Sequence, residues 1–407
     1  MPHISHRGAM MPDSPIRKLA PYANKAKAKG IKVYHLNIGQ PDLPTPQVAL
    51  DAIRNIDRTI LEYSPSDGIA TLREKLAKYY HKFKIEVNPE EIIITTGGSE
   101  AVTFAFLACL DTGDEIIVPE PAYANYTAFA ISAGAIIKSI PSTIESGFAL
   151  PPVEEFEKLI TPKTKGIMIC NPNNPTGYLY TRDEMNKIRD LVKKYDLFLF
   201  SDEVYREFCY TGDPYVSAFH LEGIEENVIL IDSVSKRYSE CGIRVGALVV
   251  KNKEVHGSVM KFCQARLSPP LIGQIAAEAS LDVSDDYMLG NYTEYHSRRN
   301  FLIDGLNLIP GVFSPTPMGA FYTVARLPVE DADHFCKWLL SDFDYEKQTV
   351  FMAPASGFYT TPGLGKNEVR IAYVLKKEDL AISLKILEEA LRSEERRVGK
   401  ECRYRWW

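Results

Sequence analysis

The sequence lacks several features that define other classes of protein. Its seven cysteines are scattered singly and form no CxxC pair, which argues against a disulfide framework and a structural zinc site. Its eight histidines show no HExxH or similar ligand spacing, so no catalytic metal is expected. No apolar run has membrane-spanning length, and residues 1–10 lack the apolar core of a signal peptide. These absences predict a soluble cytoplasmic protein with reduced thiols and no membrane contact.

An excess of positive charge is also missing. The formal net charge is −6, whereas a protein that binds nucleic acid presents a basic face to the phosphate backbone, so no nucleic-acid partner is expected. Hydrophobic residues make up 45% of the chain and charged residues 25%, as in an ordinary globular protein. A chain of 407 residues is long enough for one large domain and a smaller one.

The middle of the chain alternates short apolar segments with helical ones. Strands are expected at 91–96, 115–119, 166–170, 197–201, 228–231 and 247–250, and helices at 99–110, 123–132 and 182–195. Strands that are apolar on both faces and are joined by helices indicate a mostly parallel sheet covered on both sides. The predicted fold is therefore α/β, with a three-layer αβα large domain.

A smaller α+β domain is predicted from both chain ends. Helices are expected at 253–265, 271–283, 285–308 and 377–391, and strands at 314–326 and 368–373. We assign 1–46 to an N-terminal arm and part of the small domain, 47–290 to the large domain and 291–391 to the small C-terminal domain. Residues 392–407 carry six Lys/Arg, three Glu and two of the three tryptophans, and we interpret them as a non-native tail.

The segment after the strand at 228–231 combines an amine with groups that bind anions. Lys236 is preceded by Ser233 and Ser235 and followed by Arg244. Burial near a strand end is expected to lower the pKa of the Lys236 amine and so free it as a nucleophile. Hydroxyls and a guanidinium suit a phosphate, so the segment suits an aldehyde cofactor that carries one. The alternative is a surface lysine in a polar loop.

Three further polar clusters follow predicted strands, and ligands of parallel sheets bind beyond the carboxyl ends of the strands. Thr-Gly-Gly-Ser-Glu contains Gly98, Ser99 and Glu100, where glycines and a helix N-terminus favour a phosphate. An ordinary turn with a serine cap is the alternative for this first cluster. In Asn-Pro-Asn-Asn-Pro-Thr-Gly, two prolines and a glycine stiffen the loop around Asn174.

The last cluster places a carboxylate at the end of a buried strand. Asp202 and Tyr205 lie in Ser-Asp-Glu-Val-Tyr, and a buried carboxylate is costly unless it meets a cation. A protonated pyridine nitrogen is such a cation, and a neighbouring arginine such as Arg206 is the alternative partner.

From about residue 14 to 391, the order of these residues resembles the class I/II aminotransferases of fold-type I, the aspartate aminotransferase-like pyridoxal-phosphate enzymes. The resemblance implies that Lys236 holds pyridoxal 5'-phosphate as an imine and acts as the general base, with Asp202 and Tyr205 as further catalytic residues. The implied cofactor-binding residues are Gly98, Ser99, Glu100, Tyr123, Asn174, Asp202, Tyr205, Ser233, Ser235, Lys236, Arg244 and Tyr63. Gly39, Asn174 and Arg370 would bind the substrate.

The implied reaction is ping-pong transfer of an amino group from an L-amino acid to a 2-oxo acid, with 2-oxoglutarate as the acceptor. Tyr63 resembles the tyrosine that reaches the cofactor of the neighbouring subunit, which implies a homodimer. Some prokaryotic aspartate aminotransferases carry a lysine at the position of Ser99, where it binds the distal carboxylate of the substrate. Its absence here weakens an aspartate assignment, although another arginine, such as Arg266, could replace it.

Two other functions are compatible with parts of the pattern. A pyridoxal-phosphate-dependent carbon–sulfur β-lyase would use the same residues. The effector-sensing half of a transcription regulator would need a DNA-binding domain, and only about forty residues, without a basic helix-turn-helix, precede the fold. An aminotransferase is therefore the favoured interpretation.

Overall fold

The computed structural model describes the backbone of residues 2–404 and the side chains of residues 2–394. The helices are α1 His6–Met10, α2 Ala20–Ala28, α3 Gln47–Arg54, α4 Ala70–Lys82, α5 Gly98–Cys109, α6 Asn125–Ala133, α7 Val153–Leu159, α8 Arg182–Tyr195, α9 Val234–Arg237, α10 Lys253–Arg266, α11 Leu271–Ser280, α12 Asp285–Leu308, α13 Ala332–Ser341 and α14 Lys377–Tyr404. The strands are β1 Lys32–His35, β2 Ile92–Thr95, β3 Glu115–Glu120, β4 Ile136–Pro141, β5 Thr164–Cys170, β6 Phe198–Asp202, β7 Val228–Ser233, β8 Gly246–Val250, β9 Tyr322–Arg326, β10 Gln348–Phe351, β11 Ala353–Pro354 and β12 Glu368–Ala372.

Seven strands form the central sheet, in the order β2-β8-β7-β6-β5-β3-β4. Strand β8 is antiparallel to both of its neighbours, and the other neighbouring pairs are parallel. Side chains alternate between the faces: along β7, Ile229 and Ile231 join one core, and Val228 and Leu230 join the other. Since both faces are buried, the sheet lies between two layers of helices, and the predicted three-layer α/β fold is confirmed.

Both chain ends contribute to a second, smaller unit. Strand β1 pairs in parallel with β10, so that Lys32 lies opposite Gln348. Strands β11, β12 and β9 form an antiparallel sheet. Helix α2 packs on α13, and α14 packs on α12. The two-domain arrangement is therefore as predicted, although one uninterrupted helix, α12, crosses the boundary expected at residue 290. The domain limits stay predictions.

Some elements differ from the expectations. The strand expected at 314–326 is reduced to β9, and the two prolines at 315 and 317 have no amide hydrogen to give to a sheet. Strand β4 lies at the edge of the central sheet and is mostly only half-buried, so it lacks the apolar run that marks the inner strands. The predicted non-native tail, 392–407, overlaps the end of α14, and residues 405–407 lie outside the described residues.

Two kinds of feature are absent from the described residues. None of the helices there is both long enough and apolar enough to cross a membrane. The same part of the chain contains no group of three or more His, Cys, Asp or Glu side chains arranged to hold a metal ion.

Candidate active site

A cleft of about 700 Å³ opens where the central sheet meets the small domain. Strands β5, β6 and β7 all point their carboxyl ends at it, because parallel neighbours end at the same edge of a sheet. Twelve of the predicted site residues line the cleft: Gly39, Gly98, Ser99, Tyr123, Asn174, Asp202, Tyr205, Ser233, Ser235, Lys236, Arg244 and Arg370. The structure thus brings together residues from both domains.

Lys236 lies in the single helical turn α9, directly after β7. Its Nζ donates to the carbonyl oxygen of Gly39 at 3.0 Å, and it lies 6.0 Å from the centre of the Tyr205 ring. The side chain is half-buried, and no carboxylate forms an ion pair with it in the described part of the chain. The amine is therefore held in the cleft by weak, replaceable contacts.

The expectation of a lowered pKa for Lys236 is wrong for the chain alone. Burial does lower the pKa of this amine, but the ionisable groups of Tyr322, Cys241 and Tyr123 act against burial. Each gains negative charge on ionising, which favours the ammonium, and the pKa of Lys236 ends above its ordinary value. Free Lys236 is therefore a cation at neutral pH, and it must lose a proton before it can act as a nucleophile.

The start of α5 and the Lys236 segment together form a polar cradle for an anion. Helix α5 begins at Gly98 and directs its free amide groups to the cleft. Gly97 has φ 76°, and a Cβ there would lie 2.4 Å from Nη2 of Arg244, so this glycine lets the guanidinium approach the backbone. The hydroxyls of Ser233 and Ser235 lie 2.9 Å apart at the same end of the cleft.

Asp202 ends β6 and is buried, and no cation among the described side chains pairs with it. Its Oδ2 accepts a hydrogen bond from the hydroxyl of Tyr126 at 2.7 Å, and its Oδ1 accepts from the amide of Val204 at 3.4 Å. Burial raises the pKa of Asp202 to about 6. The alternative ion pair with Arg206 does not form, since that guanidinium donates to Glu203 instead. Asp202 is thus a buried carboxylate to which the described residues supply no cation.

A cluster of buried charged side chains, Asp232, Arg206 and Arg237, fixes the segment that carries Lys236. Asp232 accepts a close hydrogen bond from Arg237 and a bond of 2.8 Å from the hydroxyl of Tyr80. Arg206 lies 3.5 Å from the same carboxylate, and the amide of Ser233 donates to it at 2.8 Å. Burial alone would raise the pKa of Asp232, but the two arginines lower it to about 2. The cluster therefore stays ionised and fixes the end of β7.

Arg370 on β12 is a buried guanidinium that has no acidic partner between residues 2 and 394. It is 1% exposed, and it lies against the rings of Tyr322 and Phe358. Its Nη1 donates to Oδ1 of Asn174 at 3.0 Å, its Nη2 donates to the carbonyl of Asn37, and its Nε has no hydrogen-bond partner. Burial lowers the pKa of this guanidinium. A carboxylate that entered the cleft would supply the missing negative charge.

Tyr322 is a site residue that the sequence analysis missed. Its hydroxyl lies 3.0 Å from that of Tyr205 and 3.4 Å from the carbonyl of Gly39. A Cβ at Gly39 would lie 1.9 Å from the Tyr322 hydroxyl, so only glycine fits there. Strand alternation could have found Tyr322, because it lies on the Arg370 face once β9 is paired with β12.

Tyr205 keeps its proton in this setting. Burial raises the pKa of its phenol well above the ordinary value. The hydroxyl therefore remains a hydrogen-bond donor at neutral pH and can donate to a ligand oxygen in the cleft.

Two predicted cofactor residues lie outside the cleft lining. Glu100 accepts a hydrogen bond from the amide of Thr96 at 2.7 Å and forms an ion pair with Arg266 at 2.8 Å. That pair also corrects the suggestion that Arg266 could bind the distal carboxylate of a substrate, because its guanidinium is already paired. Tyr63 is 77% exposed on the surface of the chain.

The cleft has the features of a pyridoxal-phosphate site of the aminotransferase kind: a lysine, an anion cradle, a buried carboxylate and a buried arginine. The chain matches the family model for aminotransferase class I and II over residues 31–387, and it belongs to this family. It is 34% identical over 386 residues to an aspartate aminotransferase of Thermotoga maritima, covering 93% of this chain and 97% of the relative.

Solved structures of aminotransferases are also similar to this chain. The aspartate aminotransferase of Thermus thermophilus with maleate superposes with a TM-score of 0.87 at 28% identity, covering 96% of this chain and 100% of the other. The alanine aminotransferase of Pyrococcus furiosus gives the same TM-score, identity and coverage of this chain. The protein is therefore a pyridoxal-phosphate-dependent transaminase that acts on amino acids and 2-oxo acids, and the β-lyase alternative is not favoured.

The residues present fit this cofactor. Asp202 lacks a cation that a pyridine nitrogen would provide, and the cradle at Gly97 offers amides, hydroxyls and Arg244 to a phosphate. Lys236 meets no carboxylate of the described residues that would compete for its amine.

The raised pKa of Asp202 predicts how the stability of the cofactor-free protein depends on pH. The folded state binds its proton more tightly than the unfolded state, so this group costs stability as pH rises from about 4 through 6. A shift of two pKa units corresponds to roughly 3 kcal/mol. The difference in unfolding free energy between Asp202→Asn and the wild type should therefore grow in favour of the variant between pH 4.5 and 7.5.

Thermal or urea unfolding across this pH range measures the effect, and Asp304→Asn on α12, which does not line the cleft, serves as the control. Loading with pyridoxal phosphate should reverse the advantage. An Asp202→Asn curve parallel to that of the wild type would contradict the assignment of a buried, unpaired carboxylate.

Proposed function

We propose that this cleft is the site of transamination and that its residues divide the work between cofactor and substrate. The observation that carries the proposal is the meeting of Lys236, Asp202 and Arg370 in one cleft, each without an ionic partner from the described chain. Bound pyridoxal phosphate supplies an aldehyde for amines and a ring that withdraws electrons from the substrate Cα.

The phosphate would lie at the start of α5. Ser99, Ser233 and Ser235 offer hydroxyls, Arg244 offers a guanidinium, and the amides that follow Gly98 offer a helix N-terminus. Binding at the phosphate end sets the distance from the cradle to Lys236, since Ser235 and Lys236 are adjacent in the same turn.

Asp202 would pair with the pyridine nitrogen and hold a proton there, while the hydroxyl of Tyr126 holds the carboxylate in place through a hydrogen bond of 2.7 Å. Tyr205 would donate to the phenolic oxygen of the cofactor, and so would Nδ2 of Asn174, whose Oδ1 accepts from Arg370. Tyr123, which lines the cleft beside Tyr126, offers an aromatic face to the ring.

Lys236 would carry the cofactor and then act as the general base. Once free, its Nζ would accept the proton that leaves the substrate Cα and hold it for return, and bound pyridoxal phosphate would supply the electron sink for this transfer. Arg370 would bind the α-carboxylate bidentately through its two Nη atoms, with Asn174 and the backbone of Gly39 beside it. These contacts orient the Cα–H bond towards Lys236.

We further propose 2-oxoglutarate as the amino acceptor. Relatives that are named aspartate aminotransferases support this acceptor, and the Thermus structure includes maleate, a four-carbon dicarboxylate. The donor is open between aspartate and other amino acids, because relatives also include an aromatic-amino-acid and an alanine enzyme. A donor panel with each half-reaction followed by cofactor absorbance decides among them.

We propose a cytoplasmic homodimer in which Tyr63 reaches the phosphate of the neighbouring subunit. Apolar side chains are exposed together near this residue: Ile60 is 71% exposed, Leu61 60% and Leu267 51%. A surface of this kind is typical of an interface with another chain. Six described cysteines are free thiols, as expected in a reducing compartment.

Replacing Lys236 by Ala should leave pyridoxal phosphate bound through its phosphate but lower kcat by at least about 10³-fold, because general-base catalysis alone is worth about 10²- to 10⁴-fold. Borohydride reduction of the wild type followed by peptide mapping should place the pyridoxyl group on Lys236. Lys261→Ala, an exposed lysine of α10, is the matched control and should retain activity. A label on another lysine would refute the assignment.

Arg370→Ala should weaken kcat/KM by roughly 30- to 5,000-fold, because leaving one member of a buried charge pair alone costs about 2–5 kcal/mol. The loss should be similar for acidic, aromatic and aliphatic donors, since all share the α-carboxylate. Arg370→Lys should restore only part of it, as an ammonium lacks the bidentate fork. A defect confined to aspartate and glutamate would make Arg370 a reader of the side chain instead.

Tyr63→Phe should weaken binding of pyridoxal phosphate by about 10- to 100-fold, the value of one hydrogen bond to a charged group, while sedimentation still shows a dimer. Tyr195→Phe removes a hydroxyl that bonds Glu157 on the surface and should leave cofactor affinity unchanged. A monomeric wild type, or unaltered affinity in Tyr63→Phe, would count against the shared site.

A further inference from the structure

The cleft contains one more cation than the cofactor and the α-carboxylate need. Its lining includes four basic side chains, Arg17, Lys236, Arg244 and Arg370, and one carboxylate, Asp202. In the proposed site Lys236 and Arg244 serve the cofactor and Arg370 serves the α-carboxylate. Among the described residues that line the cleft, Arg17 is then the basic group without an assigned anion.

Arg17 is unpaired in the described part of the chain. Its side chain is exposed to the cleft and to solvent, and its guanidinium forms no hydrogen bond or ion pair there, whereas the next residue, Lys18, pairs with Asp333. In the turn before α2, Lys18 is therefore held in an ion pair, whereas the guanidinium of Arg17 is available to a ligand.

This turn is fixed at several points, so Arg17 has a defined position at its base. The amides of Arg17 and Lys18 both donate to the carbonyl of Ser14, at 3.0 and 2.8 Å. Pro15 is buried against Gly357, where a Cβ would lie 2.4 Å from the proline ring. A rigid backbone lowers the entropic cost of using a long side chain for recognition.

The turn is also joined to the arginine that would bind the α-carboxylate. Nδ2 of Asn37 donates to the carbonyl of Ile16 at 2.8 Å, and the carbonyl of the same Asn37 accepts from Nη2 of Arg370. One residue thus connects the backbone beside Arg17 with Arg370. Two cations held by a common support are what a molecule with two carboxylates requires, because its charges have a limited range of separations.

We propose that Arg17 binds the distal carboxylate of dicarboxylic substrates, which gives this chain its recognition of 2-oxoglutarate and of acidic amino acids. The inference rests on the proposed use of a dicarboxylic acceptor. Ser99 is neutral, and Arg266 is paired with Glu100, so neither supplies a free positive charge. Recognition of the second carboxylate lies instead on the N-terminal turn.

The test compares Arg17→Gln, Arg17→Lys and the wild type as loaded, full-length enzymes. Half-reactions with aspartate, glutamate, alanine and phenylalanine give kcat/KM for two acidic and two neutral donors, and 2-oxoglutarate and pyruvate do the same for acceptors. A hydrogen bond to a charged group predicts a loss of about 10- to 100-fold for the acidic members in Arg17→Gln. The neutral members should change by less than about threefold, and Arg17→Lys should recover part of the loss.

Binding without turnover gives a second readout. Arg17→Gln should weaken maleate by a similar factor and leave propionate, which has one carboxylate, unaffected. Because Arg17 is exposed, added salt should weaken maleate more in the wild type than in the variant. Lys25→Gln removes the same charge from an exposed site on α2 and is the control for the net charge of the region.

The possible outcomes distinguish a failure of the role proposed for Arg17 from a failure of the proposed dicarboxylic acceptor. Equal losses for acidic and neutral substrates, or wild-type kinetics and maleate affinity in Arg17→Gln, would overturn the role of Arg17 while leaving transamination with dicarboxylates intact. A wild type that uses alanine and pyruvate but no dicarboxylate would overturn the acceptor proposal, and with it the inference.

Discussion

The buried ion cluster around Asp232 is the interaction on which the rest of the site depends. A carboxylate and two arginines are costly to bury, and they remain ionised here because Asp232 lies between Arg206 and Arg237. Each arginine has a second carboxylate beside it, Glu203 or Glu207, and Tyr80 and the Ser233 amide fill the remaining positions around Asp232. Lys236 lies one residue from Arg237, and Ser233 follows Asp232 directly. The cluster therefore sets the direction in which β7 ends, and the amine and the hydroxyls of the cofactor site follow from it.

The buried charges of the neighbouring cleft differ from this cluster in their pairing. Asp202 and Arg370 are also buried, but in the described part of the chain neither of them has an ionic partner. Buried charges without partners are typical of functional sites, where a ligand supplies the opposite charge. The negative charge of Asp202 suits the cationic ring of the cofactor, and the positive charge of Arg370 suits the anionic substrate. Part of the folding free energy is thereby spent on burying charges that gain their partners only when the site is loaded.

The sequence predicts the groups at the ends of strands because a parallel sheet gathers those ends at one edge, and the local pattern around Lys236, Asp202 and Asn174 is enough to find them. Contacts between distant segments are not visible in the same way. The Glu100–Arg266 pair, the bond from Tyr126 to Asp202 and the meeting of Tyr205 with Tyr322 each depend on tertiary packing. The expected lowering of the Lys236 pKa is wrong for the same reason. The phenols of Tyr123 and Tyr322, which act against burial, come from distant positions in the sequence, and the thiol of Cys241 comes from the turn that follows Lys236.

The two ends of a dicarboxylic substrate would meet parts of the protein that differ in rigidity. The α-carboxylate is common to every substrate, and Arg370 extends from an inner strand, with two of its three donor nitrogens already held. The second carboxylate varies in distance from the first, and Arg17 is a long side chain on a fixed turn with its guanidinium unbound. An exposed arginine can follow ligands of different length at little cost in strain, whereas a cation buried on a helix would fix one length. Family members that act on acidic, aromatic or aliphatic donors could thus differ at a few surface positions while the buried site remains the same.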